Sequence, residues 1–137
     1  MARELIELDV AECLELVGER GVGRLAVDDG EGPVILPADY LFQGGVLHIR
    51  TSSGTKLDAA DRRAPASFEV DALPSESERG WSVLLRGRLR RLLAPEGRDG
   101  LEPTPTVAGD RHHLIGLLPT SITGRRIGPD VPTATDT

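Results

Sequence analysis

The sequence predicts a mainly β fold, a small barrel of about six antiparallel strands with a leading helix and one short crossover helix. Three observations predict it. Apolar and polar residues alternate with period two in successive segments, as in Val46-Leu47-His48-Ile49-Arg50. Turn signals, Asp28-Asp29-Gly30 and Gln43-Gly44-Gly45, join consecutive segments at hairpin distance. Helical spacing is confined to two short stretches. A meander of short strands leaves unpaired edges, and closing it into a barrel removes them.

Taken in order, Asp9 is placed to cap a helix, with Glu12 three residues on as in a capping box. Val10, Leu14 and Val17 share a face flanked by Cys13 and Leu16, and the helix ends near Gly18. Cys13 reads as a core thiol, since nothing near it in sequence would lower its pKa. Gly21 to Val27 forms a strand. Gly32 to Phe42 forms the next, and its continuously apolar first half suits a strand covered on both sides. Pro37 cannot donate to a ladder, so it marks an edge or a bulge. A third strand starts at Val46. A short helix, Lys56 to Arg62, crosses over and is stopped by Arg63-Ala64-Pro65. Ala66, Phe68 and Val70 then alternate with Ser67, Glu69 and Asp71 in a fourth strand.

Leu73 to Arg79 is an acidic loop. Trp81 opens a long fifth strand in which Ser82, Leu84, Arg86, Arg88 and Arg90 share a face, the arginines expected to be balanced by acids across the ladder. Ala94 to Asp110, rich in Pro, Gly and Thr, is expected as a loop. Arg111 to Leu118 resumes strand character, Pro119 interrupts it, and Ser121 to Ile127 completes the folded part. The reading is one domain over 1–128 and a disordered tail over 129–137.

Bulk properties narrow the function. A chain of 137 residues with 39% hydrophobic and 28% charged residues is expected to be one soluble domain. No run is long enough to cross a bilayer, no signal peptide is evident, and the single Cys13 precludes an internal disulfide, so the cytoplasm is expected. A net charge of −6 argues against nucleic-acid binding. No G-x-S-x-G or G-x-G-x-x-G motif occurs. His112 and His113 point to opposite strand faces, and no catalytic residue or metal site is assigned.

One stretch does carry chemistry. Arg50-Thr51-Ser52-Ser53-Gly54-Thr55-Lys56 sets hydroxyls and a glycine between two cations, the composition of a phosphate cradle. Lys56 is the only lysine in the chain, a compact ammonium in a sequence otherwise using arginine. The same stretch also fits an ordinary polar turn with Ser53 capping a surface helix.

Set in order, V-G-R-L-A at 22–26, P-A-D-Y at 37–40, R-T-S-S-G-T-K-L at 50–57, F-E-V-D at 68–71, G-W-S-V-L-L-R-G at 80–87 and I-T-G-R-R-I at 122–127 resemble the pyridoxamine 5′-phosphate oxidase-like family, small flavin-binding split β-barrels. The resemblance implies a homodimer binding FMN, or in some branches F420, between two barrels. It implies that Arg50, Thr51, Ser52, Thr55 and Lys56 hold the cofactor phosphate. Pro37, Asp39 and Tyr40 would lie along the ribityl chain or ring, and Trp81 and Ser82 would border the isoalloxazine from either subunit. Asp39 stands where the family often has asparagine. The function implied is a flavin-dependent oxidoreductase-type protein; the alternatives are a non-catalytic binder of flavin, F420 or haem, and a cofactor-less dimeric barrel serving as an interaction module.

Overall fold

The computed structural model describes residues 2–77, 79–92 and 113–131. The elements are β1 (Ala2–Leu8), α1 (Val10–Val17), β2 (Arg20–Asp28), β3 (Pro33–Gln43), β4 (Val46–Thr51), α2 (Thr55–Asp61), β5 (Pro65–Ala72), β6 (Gly80–Leu92) and β7 (His113–Val131). The strands run in the order β1-β7-β4-β3-β2-β5-β6, and β6 also pairs with β7. That last ladder joins the ends, so six antiparallel strands close into a barrel and β1 is added outside it. No helix among the described residues is long and apolar enough to cross a membrane.

The inward faces of the staves form one core: Leu25 and Val27 from β2, Leu47 and Ile49 from β4, Phe68 and Val70 from β5, Val83, Leu85 and Leu89 from β6, and Ile115 and Leu117 from β7. Phe68 is the largest fully buried side chain. Its removal from water stabilises the fold by about 1.5–3 kcal/mol. Its ring stands edge-on to Tyr40, centroids 5.4 Å apart. It also lies directly over Gly23, where a Cβ would come within 2.3 Å of the ring and 2.6 Å of the Glu69 carbonyl oxygen.

Both ends of α1 and the C-terminal end of α2 are tied down. The α1 capping box forms: the Glu12 amide donates to the Asp9 carboxylate at 2.8 Å, and the Asp9 amide to the Glu12 carboxylate at 3.5 Å. At the other end the Tyr40 hydroxyl donates to the Val17 carbonyl, 2.6 Å away and buried, filling one acceptor that the helix end leaves open. Cys13 is fully buried, and burial, then the charges of Asp9 and Glu12, push its thiol pKa up. It is a core residue. The end of α2 is a Schellman turn: the Arg63 amide donates to the Ala60 carbonyl and the Ala64 amide to the Ala59 carbonyl. Arg63 takes the left-handed position usually given to glycine, with φ 52°. That costs about 1 kcal/mol.

Four expectations change. A strand, β1, precedes α1 and pairs with β7 from Leu8/Gly124 to Ala2/Val131. Its Leu5-Ile6 pair breaks the alternation that would announce it. β7 accordingly continues to Val131, past residue 128, and only 132–137 of the expected tail lies outside the described residues. Pro119 does not end the strand: Gly87 pairs with Pro119 and Arg86 with Ser121, so Thr120 is the extra residue of a bulge that absorbs the proline. The first half of β3 is not covered on both sides, since Ile35 is 71% exposed on the outer wall. The expected 94–110 loop lies outside the described residues.

Gly23→Ala should destabilise the protein by about 1–3 kcal/mol, because neither the Phe68 ring nor the Glu69 backbone can retreat freely. Urea denaturation of the two proteins measures this; an unchanged midpoint would contradict the packing described.

Candidate functional site

Alternation along β4 sends Leu47, Ile49 and Thr51 inward and His48 and Arg50 outward. The β3–β4 ladder runs only from Gln43/Val46 to Leu41/His48. Beyond it β3 continues along β2 alone, with Pro37 opposite Arg24 and Asp39 opposite Val22. Pro37, four residues beyond the last β3 pairing at Leu41, has no N–H with which the ladder could resume there. Continuing the same register would set Asp39 level with Arg50 and Pro37 level with Ser52, so these four residues flank an opening in the wall. Lys56, in the first turn of α2, reaches across it, its Nζ donating to the Pro37 carbonyl at 3.1 Å.

The loop that closes the opening is exposed from Ser52 to Gly54, while Thr55 and Lys56 are half-buried. Gly54, at φ 137°, is the N-cap of α2 and no side chain caps the helix, so the Ser53 cap does not form. No atom lies within 4 Å of the point a Gly54 Cβ would occupy. A phosphate dianion needs charge-assisted donors converging on open space. Arg50 and Lys56 supply cations beside the opening, and Ser52 and Thr55 supply hydroxyls. Asp39, half-buried on the outward face of β3, is the discordant charge. Asp39, Arg50 and Lys56 are all held by interactions of their own.

Other sequence-derived residues sit elsewhere. Tyr40 is 2% exposed and faces the barrel interior, where burial raises its pKa, so it is a core and helix-anchoring residue. Thr51 is also buried, its Oγ1 donating to the Ser52 carbonyl at 3.0 Å, so its side chain shapes the turn from inside. Trp81 is partly buried against the core. Ser82 points outward on β6, opposite Asp71 and Arg125. In barrel order β7 separates β6 from β4 on one side, and β5 and β2 separate it from β3 on the other.

A further cluster adjoins the opening and was not evident from local spacing. Arg24, opposite Pro37, places Nη1 3.2 Å from a Glu69 oxygen and 3.1 Å from an Asp71 oxygen. Burial, then the hydrogen bond and charge of Asp71, raise the Glu69 pKa, and Arg24 only partly opposes them. The outward positions of all three follow from alternation; their meeting depends on the β2–β5 ladder, which joins segments 45 residues apart.

The architecture is thus a closed antiparallel barrel with a cation-flanked opening where one ladder stops. The chain belongs to the pyridoxamine 5′-phosphate oxidase family, matching it over residues 9–126. It is similar to the uncharacterized Mycobacterium tuberculosis protein Rv0080, at 29% identity with 94% of this chain and 90% of that one covered. Among solved structures, it is similar to an FAD-binding protein from Mycobacterium smegmatis, at 30% identity and TM-score 0.65, covering 90% of this chain and 98% of that one. A pyridoxamine 5′-phosphate oxidase homologue from Corynebacterium glutamicum superposes with TM-score 0.74 at 25% identity, covering 90% and 98%.

The acid pair yields a pH dependence with a definite sign. A carboxyl whose folded-state pKa lies above its ordinary value near 4.5 holds its proton more tightly when folded. That stabilisation is present at acidic pH and is lost as pH rises through the raised value. Glu69→Gln should flatten this part of the stability–pH curve, measured by urea titrations across acidic pH. A variant with the wild-type slope would contradict the assignment.

Proposed function

We propose that this protein binds a flavin by its phosphate at the β3–β4 opening and works as an oxidoreductase-type flavoprotein. One observation carries the reading: the only lysine in the chain reaches the Pro37 carbonyl across the stretch where β3 and β4 are no longer paired, with Arg50 outward beside it. Family membership and the FAD-binding M. smegmatis relative support the same cofactor class. In this reading Arg50, Lys56, Ser52 and Thr55 grip the phosphate of FMN, or the equivalent phosphate of FAD or F420. Lys56 exchanges its Pro37 contact for the ligand, and Pro37 and Asp39 border the chain beyond. When bound, the flavin supplies the redox chemistry. The protein's own residues bind it, orient it and limit access to it.

The second half of the site comes from another copy. Ser82 and Trp81 stand on a different stave from the opening, so a homodimer brings them to the ring. Val22 and Ile35, 54% and 71% exposed on adjacent strands, offer apolar surface beside Pro37 and Asp39 for that contact.

The visible spectrum of freshly purified protein, or of protein incubated with FMN, should show flavin bands that a reductant bleaches. Arg50→Ala combined with Lys56→Ala should weaken FMN binding by about 2–4 kcal/mol, the loss of two charge-assisted contacts. A protein that stays colourless with added flavin would overturn the proposal. Bands that no reductant bleaches would leave a flavin binder without oxidoreductase function.

A further inference from the structure

Apart from every residue assigned to the opening, strands β2, β5, β6 and β7 frame an open groove of about 710 Å³. Its charge is one-sided. Arg63, from the α2–β5 link, and Arg86, Arg88 and Arg90, from the outward face of β6, all line it. Asp28 is the one acid in the lining among the described residues, and its carboxylate already accepts from the Gly30 amide at 2.7 Å. Pro33, Pro65 and Leu118 add apolar surface.

The expected balancing acids are not across the ladder. Arg86 lies between Ser67 and Ser121, Arg88 between Pro65 and Leu118, and Arg90 beside Gly116. The acids that lie near are engaged by others, Glu69 and Asp71 by Arg24 and Asp61 by Arg91 at 2.9 Å. Among the described residues, no carboxylate pairs with Arg63, Arg86 or Arg90. In a chain of net charge −6, guanidiniums with no carboxylate partner among the described residues have been gathered in one concavity, where the surrounding protein concentrates their field.

Backbone conformation points the same way. Arg63 holds the left-handed position at the end of α2, where glycine would be unstrained, and so delivers a guanidinium to the groove. The wall is fixed beforehand: Arg88 donates to the Arg63 carbonyl at 3.1 Å, and Arg62 donates to the Asp28 carbonyl. The volume falls among small-molecule sites, roughly 300–1,000 Å³.

We propose that this groove binds a phosphate-bearing small molecule with two or more negative charges and a planar or apolar part. That chemistry has two sources. One is the diphosphate end of a dinucleotide flavin, because Arg86 lies on the same face of β6 as Ser82, about 13 Å along the strand; this source rests on the flavin reading above. The other is a separate phosphorylated molecule, which does not.

Calorimetric titration of the full chain with pyrophosphate, ADP, FMN and FAD separates these, using wild type and the double variant Arg63→Gly/Arg86→Gln. Wild type should bind pyrophosphate and ADP, more weakly as salt rises. The variant should lose at least tenfold in affinity without a lower melting midpoint, since glycine relieves the strain at 63. A parallel tenfold loss for FAD with FMN unchanged identifies the cofactor's diphosphate end as the occupant. Loss for ADP with both flavins unchanged identifies a separate ligand. If the variant binds pyrophosphate, ADP and FAD as wild type does, including the case in which neither binds them, the proposal is overturned. FMN binding by wild type reports on the opening alone, so its failure would count against the flavin reading and not against the groove.

Discussion

The candidate site depends on a ladder that stops short. The β3–β4 ladder ends at Leu41/His48, so the barrel closes through its other seams and leaves that one ajar, and Pro37, with no N–H, cannot resume it. The crossover helix supplies the remedy. Lys56 caps the Pro37 carbonyl and bridges the gap with a single flexible ammonium. Such a contact is exchangeable: an exposed ammonium–carbonyl hydrogen bond contributes about 1 kcal/mol net and can give way to a stronger anionic partner. A continuous ladder of backbone hydrogen bonds could not.

Charge is sorted around the outer wall. On β2 and β5, Arg24 answers two acids; on the α2–β6 side, Arg91 answers Asp61. Between these neutralised regions the β6 arginines face serine, proline, leucine and glycine. Among the described residues, local neutrality at the seams and local excess in the groove coexist with an acidic chain. Net charge describes how the molecule behaves at long range and says little about its concavities.

The barrel was legible because its strands alternate and its turns are short: the α1 cap, the inward Leu47/Ile49 face and the outward Ser82-to-Arg90 row follow from spacing alone. β1 was hidden by its Leu5-Ile6 pair, and β7 was divided at Pro119 because a bulge is a property of two strands, visible only once Gly87 is known to face it. Within the site, Arg50, Lys56 and Pro37 were readable from residue chemistry. The inward direction of the Tyr40 side chain was not legible, since the P-A-D-Y string does not say which alternate residue faces inward. Burial settles that Tyr40 and Ala38 do, leaving Pro37 and Asp39 outside. Arg24's two acids required the long-range β2–β5 pairing.

The most direct test compares two ligands that differ only by a phosphate. FMN and riboflavin share the isoalloxazine and ribityl chain, and only FMN carries the phosphate proposed to sit at the opening. Fluorescence titration of the full-length protein should give FMN an affinity at least tenfold above that of riboflavin, with the gap narrowing as salt is raised. Equal affinities at low salt would mean that Arg50 and Lys56 do not grip a phosphate, and the account would fail.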